Sequence, residues 1–258
     1  MRTVTSRDGT PIAYERLGEG PPVVLIGGGP STHESELPLA RELAGGFSVY
    51  VYDRRGRGES GFTEPHSADR EFEDLAAVIG AAGGSACVYG SSGLGSMALE
   101  AAARGLPITR VAAWEPPYVV GDARPPVPAD WGARVAGMIA EGRRGDALEY
   151  WMTEVVLVPA EYIGPMRGQP FWTAMEEHAQ GLVYDAAVLG DFTMPRELLA
   201  GMRTPALVGV GGSIPWLATG VRELAKVIPD CTLVSLPDEP HDIPPQAIAP
   251  VLTKFFAS

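Results

Sequence analysis

Cysteine is scarce: Cys87 and Cys231 are the only two in 258 residues. Neither belongs to a C-x-x-C pair or a Cys/His cluster, so no metal site or redox motif is expected, and both read as buried free thiols. Positive charge is also short. Twenty Lys and Arg against 32 Asp and Glu leave a formal net charge of −12, the wrong sign for nucleic acid or an anionic membrane surface. The acids are scattered, so the excess does not identify a cationic substrate. Long apolar runs are missing: no window is apolar enough to span a bilayer, and residues 1–9 lack the apolar core of a secretion signal. These absences lead to the expectation of a cytoplasmic protein without cofactor or metal, with no nucleic-acid or membrane partner. The oligomeric state is not legible.

What is present is ample apolar content, 45% of the chain, and a length that fits one α/β domain with room for an insertion. Residues 3–18 read as a hairpin turning at Asp8-Gly9-Thr10-Pro11. Val23–Ile26 and Val49–Tyr52 are continuous apolar runs, as in strands covered on both faces. Helical patterns follow at 33–44 and 68–82, the second with Phe72, Leu75, Ala76 and Ile79 on one face. Val111–Trp114, Ala206–Val210 and Leu233–Leu236 are further strands. Helices are expected near 216–228, with Leu217, Val221, Leu224 and Ile228 inward, and near 245–257. Between 121 and 200 the alternation fails, and helical pieces broken by Pro and Gly carry large apolar side chains. The pattern predicts a mostly parallel sheet with helices on both faces, formed by residues 1–120 and 201–258, and a helical cap inserted at 121–200.

The chain is organised around Ala86–Glu100, an apolar strand that turns through Gly90-Ser91-Ser92-Gly93 into a helix. A serine at such an apex stands clear of the sheet beside the free N–H groups of a helix start. Ser92 is favoured over Ser91, because Gly90 then occupies the crowded slot two before it. Leu94 stands two after it, where a glycine is usual. A serine nucleophile needs a base. His241, in the loop after the last strand, lies on the edge where ligands bind in such sheets. His33 is the next candidate, while His66 and His178 fit surface or capping roles. The base needs a carboxylate. The loop after Val210 has none, but the strand Val111–Trp114 ends in Glu115, and Asp242 is a weaker alternative. Gly29 and Gly93 offer N–H groups for an oxyanion. Trp151, Trp172 and Trp216 are candidate walls of an apolar pocket, with cap core as the alternative for these aromatics.

These residues resemble the α/β-hydrolase superfamily over nearly the whole chain. Gly27-Gly28-Gly29-Pro30 is similar to the family's H-G-x-P oxyanion loop, with Gly27 in place of the histidine. Asp53-Arg54-Arg55-Gly56-Arg57-Gly58-Glu59-Ser60 resembles its D-x-R-G-x-G-x-S segment. The acid after the earlier strand is similar to that of some dehalogenases and of a zearalenone-type lactonase. A serine at the elbow argues against the dehalogenases and epoxide hydrolases, which use aspartate there. The resemblance implies a serine hydrolase cleaving an ester or lactone of a hydrophobic small molecule. The superfamily also hosts C–C hydrolases, perhydrolase/haloperoxidase-like enzymes and non-catalytic ligand receptors, which remain alternatives.

Overall fold

Each apolar run of the sequence becomes a strand, and the strands join in one sheet. In a computed structural model, which describes residues 1–258, these are β1 (Arg2–Thr5), β2 (Pro11–Leu17), β3 (Pro22–Ile26), β4 (Ser48–Tyr52), β5 (Ala86–Ser91), β6 (Ile108–Trp114), β7 (Ala206–Val210) and β8 (Cys231–Ser235). Their order is β1-β2-β4-β3-β5-β6-β7-β8. β2 is the one reversed strand, antiparallel to both β1 and β4, and all the other pairings are parallel. The chain steps from β3 outward to β4, then returns to lay β5 on the other side of β3. That reversal opens a crevice at the carboxyl ends of β3 and β5, the usual ligand position in an open α/β sheet.

Helices α1 (Leu37–Leu43), α2 (Ala68–Ala81) and α3 (Gly93–Ala103) follow β3, β4 and β5. The pattern at 33–44 predicts one helix, but a 3-10 turn, His33–Glu36, precedes α1. Pro38 in the first turn of α1 has no N–H to continue a helix backwards. Between β6 and β7 lie α4 (Trp131–Ala140), α5 (Arg144–Tyr150), a π-turn (Trp151–Val155), α6 (Ile163–Arg167), α7 (Pro170–Glu177), α8 (Gly181–Leu189) and α9 (Arg196–Ala200). This segment has an apolar cluster of its own, including Trp131, Leu148, Val155, Trp172 and Leu182. Its two ends meet where Val119 bridges Thr193. Helices α10 (Pro215–Val227) and α11 (Pro245–Phe256) complete the chain.

One face of the sheet packs on α2, α3 and α10 through Leu75, Met97, Leu99, Val221 and Leu224. The other packs on α1 and α11 through Leu39, Leu43, Leu252 and Phe256. Alternation along β6 feeds both, with Ala113 on the first face and Ala112 and Trp114 on the second. Each fully covered Leu or Val contributes about 1.5–3 kcal/mol. On α2 the predicted Phe72, Leu75 and Ile79 are buried, Ala76 is half-buried, and two acids, Glu71 and Asp74, are fully buried.

Candidate active site

The turn after β5 is forced by close packing. Ser92 has φ +53° and ψ −133°, a strained combination for a residue with a side chain, costing about 1–3 kcal/mol. Its N–H donates to the Trp114 carbonyl at 2.8 Å, which ties the elbow to β6. A methyl group on Gly90 would run into the Leu94 carbonyl, with the Gly95 nitrogen at 2.8 Å. The second close approach falls on Gly95, whose methyl would meet Ala113 Cβ at 3.1 Å. Leu94 therefore needs no replacement by glycine, and its side chain instead reaches toward Gly28. Helix α3 begins at Gly93, so the N–H of Gly93 belongs to the unpaired first turn.

Glu115 ends the strand beside the elbow. It is completely buried, with φ +44°. Its own N–H donates to the Gly209 carbonyl at 3.0 Å. Oε1 accepts from the Gly211 N–H at 2.8 Å, and Oε2 lies 2.7 Å from Nδ1 of His241. An ionised carboxylate can only accept, so Nδ1 carries the proton and Nε2 is left as the basic atom. Trp114 supports the same loop: its Nε1–H donates to the His241 carbonyl at 3.0 Å. The His241 side chain remains 28% exposed. Ser92 Oγ makes no hydrogen bond to the ring in this structure; that link commonly tightens only around a substrate. The acid that holds the ring is Glu115 and not the neighbouring Asp242.

The other histidines have different occupations. The backbone N–H and Nδ1 of His33 both meet Asp53 Oδ1 at 2.8 Å. Asp53 Oδ2 also accepts from the Glu59 N–H at 2.8 Å, and a side chain on Gly58 would collide with this carboxylate. The aspartate of the D-x-R-G-x-G-x-S segment thus fastens its own loop to the chain leaving the glycine loop. His66 packs against Tyr184, which itself stacks on Phe62, and His178 follows the end of α7.

Three arginines of that segment are buried against acids far away in sequence. Arg54 donates to Glu71 at 3.0 Å and to Asp185 at 2.7 Å, and Arg57 donates to Asp185 at 2.8 Å and to the Gly181 carbonyl at 2.9 Å. Arg55 holds Asp74 through two bonds of 2.7 Å. Burial alone would raise the Glu71 carboxyl, but the charges of Arg54 and Arg57 outweigh it and hold the group below its usual range. Asp185 and Gly181 lie on α8, so this cluster pins a cap helix to the core.

Gly29 in the glycine loop and Gly93 at the start of α3 each meet one cap side chain. Gly29, at φ +57°, faces Trp151, whose Cη2 would stand 3.9 Å from a methyl there. A methyl on Gly93 would stand 2.8 Å from Leu189 Cδ1. The pocket expectation needs correction at Trp172. That ring is 2% exposed in the cap's own core, with its Nε1–H on Glu176 at 2.7 Å. Trp216 stacks with Arg124, whose guanidinium lies 4.8 Å from the ring centre. Leu189 is absent from the sequence reading because the break at Gly190 gives no sign of what the last turn of α8 touches. Near the same edge, Glu36 accepts from Ser35 Oγ at 3.3 Å. Burial pushes its carboxyl up to about 7; the Ser35 hydroxyl opposes this and the charge of Asp242 adds to it.

A serine elbow and a carboxylate–imidazole pair on the carboxyl edge of a mostly parallel sheet define an α/β-hydrolase architecture. The chain belongs to the alpha/beta hydrolase family, whose model matches residues 23–251. It is similar to an alpha/beta hydrolase from Sphaerobacter thermophilus, with a TM-score of 0.95 and 53% identity over 99% of this chain and 100% of that one. The enol-lactonase from Burkholderia xenovorans LB400 shares the fold, with a TM-score of 0.69 at 24% identity over the full length of both chains. A non-heme haloperoxidase from Rhodococcus erythropolis is 36% identical over 81 residues, 31% of this chain and 30% of that protein, so the match spans less than a third of the relative. No helix is long and apolar enough to cross a membrane.

Proposed function

We propose that this protein is a serine hydrolase that cleaves a carboxylic ester or lactone of a hydrophobic small molecule through an acyl-enzyme. Ser92 attacks the carbonyl carbon and passes its proton to His241 Nε2. Glu115 keeps the ring in the tautomer that presents Nε2 and stabilises the imidazolium. The N–H groups of Gly29 and Gly93 receive the oxyanion. His241 then protonates the leaving oxygen; in the second half it takes a proton from water as the water oxygen attacks the acyl carbon, and returns that proton to Ser92 Oγ as the acid leaves. The observation that carries this reading is the 2.7 Å bond between Glu115 and His241, on the same edge as a serine held at φ +53°. Trp151 contributes an apolar wall.

Labelling with a methyl-substituted fluorophosphonate tests it directly. Wild type and Ser91→Ala should label, and Ser92→Ala should not, while Ser92→Ala loses at least about 10³-fold in ester hydrolysis at unchanged folding. Full activity in Ser92→Ala ends the proposal. The partial likeness to a haloperoxidase favours one second reading, in which hydrogen peroxide takes the place of water on the same acyl-enzyme. Peracid among the products identifies it.

A further inference from the structure

The two glycines assigned to the oxyanion each have one apolar side chain of the cap beside them, on the side where a Cβ would stand. Leu189 Cδ1 and Cδ2 would lie 2.8 and 2.9 Å from a methyl on Gly93, and Trp151 Cη2 would lie 3.9 Å from one on Gly29. Resting on the serine-hydrolase reading, we infer that Trp151 and Leu189 are specificity-determining residues that restrict the acyl side of the substrate to short chains and leave the alcohol side without a comparable limit.

Direction follows from the chemistry. The leaving oxygen must reach His241 Nε2 to be protonated, so the alcohol portion extends toward the 237–242 loop. An oxyanion within about 3 Å of both glycine N–H groups fixes the acyl carbon between them. Directed away from His241, the acyl substituent would meet the cap side chains that stand against the two glycines, Trp151 and Leu189.

Both side chains are held firmly. Leu189 is in the last turn of α8, which is fixed to the core by Asp185, bonded to Arg54 at 2.7 Å and Arg57 at 2.8 Å. Just past its end, the Gly190 carbonyl accepts from Trp131 Nε1–H at 2.8 Å. Trp151 opens the π-turn, whose Val156 N–H returns to the Trp151 carbonyl at 2.9 Å. The Val155 carbonyl accepts from Arg124 at 2.9 Å, and Leu157 follows at φ +66°. An isolated π-turn next to a strained residue is a costly way to continue a helix, and such turns gather at functional positions. Here it delivers an indole to the glycine loop.

The test is a series of p-nitrophenyl esters from acetate to octanoate, with kcat/KM measured for wild type, Trp151→Ala and Leu189→Ala, and for Trp151→Phe and Leu189→Val as milder controls of folding. Wild type should fall at least about tenfold between acetate and hexanoate, since a misfitting methylene in an apolar pocket costs of that order or more. Each alanine variant should raise the hexanoate-to-acetate ratio at least about tenfold, and the milder variants should raise it less. A second series, acetates of progressively larger alcohols, should show no comparable fall in wild type. Equal turnover of hexanoate and acetate by wild type, or ratios that do not move in the folded variants, overturns the inference. Fluorophosphonate labelling separates the two levels: wild type labelled at Ser92 with a flat chain-length profile removes only the acyl limit, whereas unlabelled folded wild type removes the hydrolase reading beneath it.

Discussion

Glu115 and Asp185 are both carboxylates with almost no exposure to water, 0% and 3%, yet they are partnered in opposite ways. Asp185 is met by two guanidinium groups, in a cluster that also contains Glu71 and where every charge faces fixed opposite charges. Glu115 is met by one backbone N–H and one imidazole, and that imidazole keeps 28% of its side-chain surface open. A closed cluster can only hold elements together. A buried acid whose partner is partly in the open can influence a proton that leaves and returns. Burial is common to both; what differs is whether the partner is an imidazole, able to take up and give back a proton, that also touches solvent.

Substitutions should separate the two. Glu115→Gln is expected to lower kcat by about 10²–10⁴-fold, because Nδ1 loses an ionised acceptor and the imidazolium its stabiliser. Steady-state kinetics read this, and KM should change little. Retention of more than a tenth of wild-type kcat would remove Glu115 from the mechanism. Asp185→Asn should reverse the pattern. It leaves buried arginine charge uncompensated, at a cost of about 3–5 kcal/mol in denaturant unfolding, while the protein that remains folded still labels at Ser92. A stability loss under 1 kcal/mol would show that the cluster is not what fixes α8. The smallest effect concerns Glu36. Its carboxyl, pushed up to about 7, keeps its proton in the folded chain where the unfolded chain has lost it. Folding therefore loses stability as pH rises from about 4.5 to 7 and no more above that. Glu36→Gln should gain a few degrees of Tm over wild type at pH 8 and none at pH 4.5. A gap independent of pH would show that Glu36 does not titrate in that window.

The same contrast explains what could be read in the sequence. The strands and the elbow were legible because their signals are local: four or five consecutive apolar residues, or Gly and Ser packed into a turn. Glu115 was legible as an acid closing an apolar strand, and His241 as a histidine after the last one. The arginine cluster was not, since Arg54 and Asp185 lie 131 residues apart, and charged residues on α2 read as a solvated face until their partners are known. Trp172 shows the converse error. A large aromatic in a cap is equally compatible with a pocket wall and a core, and the hydrogen bond to Glu176 with burial among the cap residues decides for core. Leu189 escaped notice because its importance depends on a glycine nearly a hundred residues earlier.

Gly211 and Gly212 carry a consequence for how this arrangement can change by mutation. The loop after β7 carries no acid, and both its leading residues are glycines pressed against the loop that bears His241. A side chain at 212 would strike the Pro237 carbonyl, and one at 211 the Glu239 carbonyl, with Glu115 Oε1 at 3.2 Å. Gly211 also lends its N–H to Glu115. An aspartate introduced there would push the His241 loop away before its carboxylate could reach the ring. From this sequence, the acid's address works as a ratchet: single substitutions can abolish Glu115, but they cannot relocate its task to the neighbouring strand without first rebuilding the backbone of the 237–241 loop.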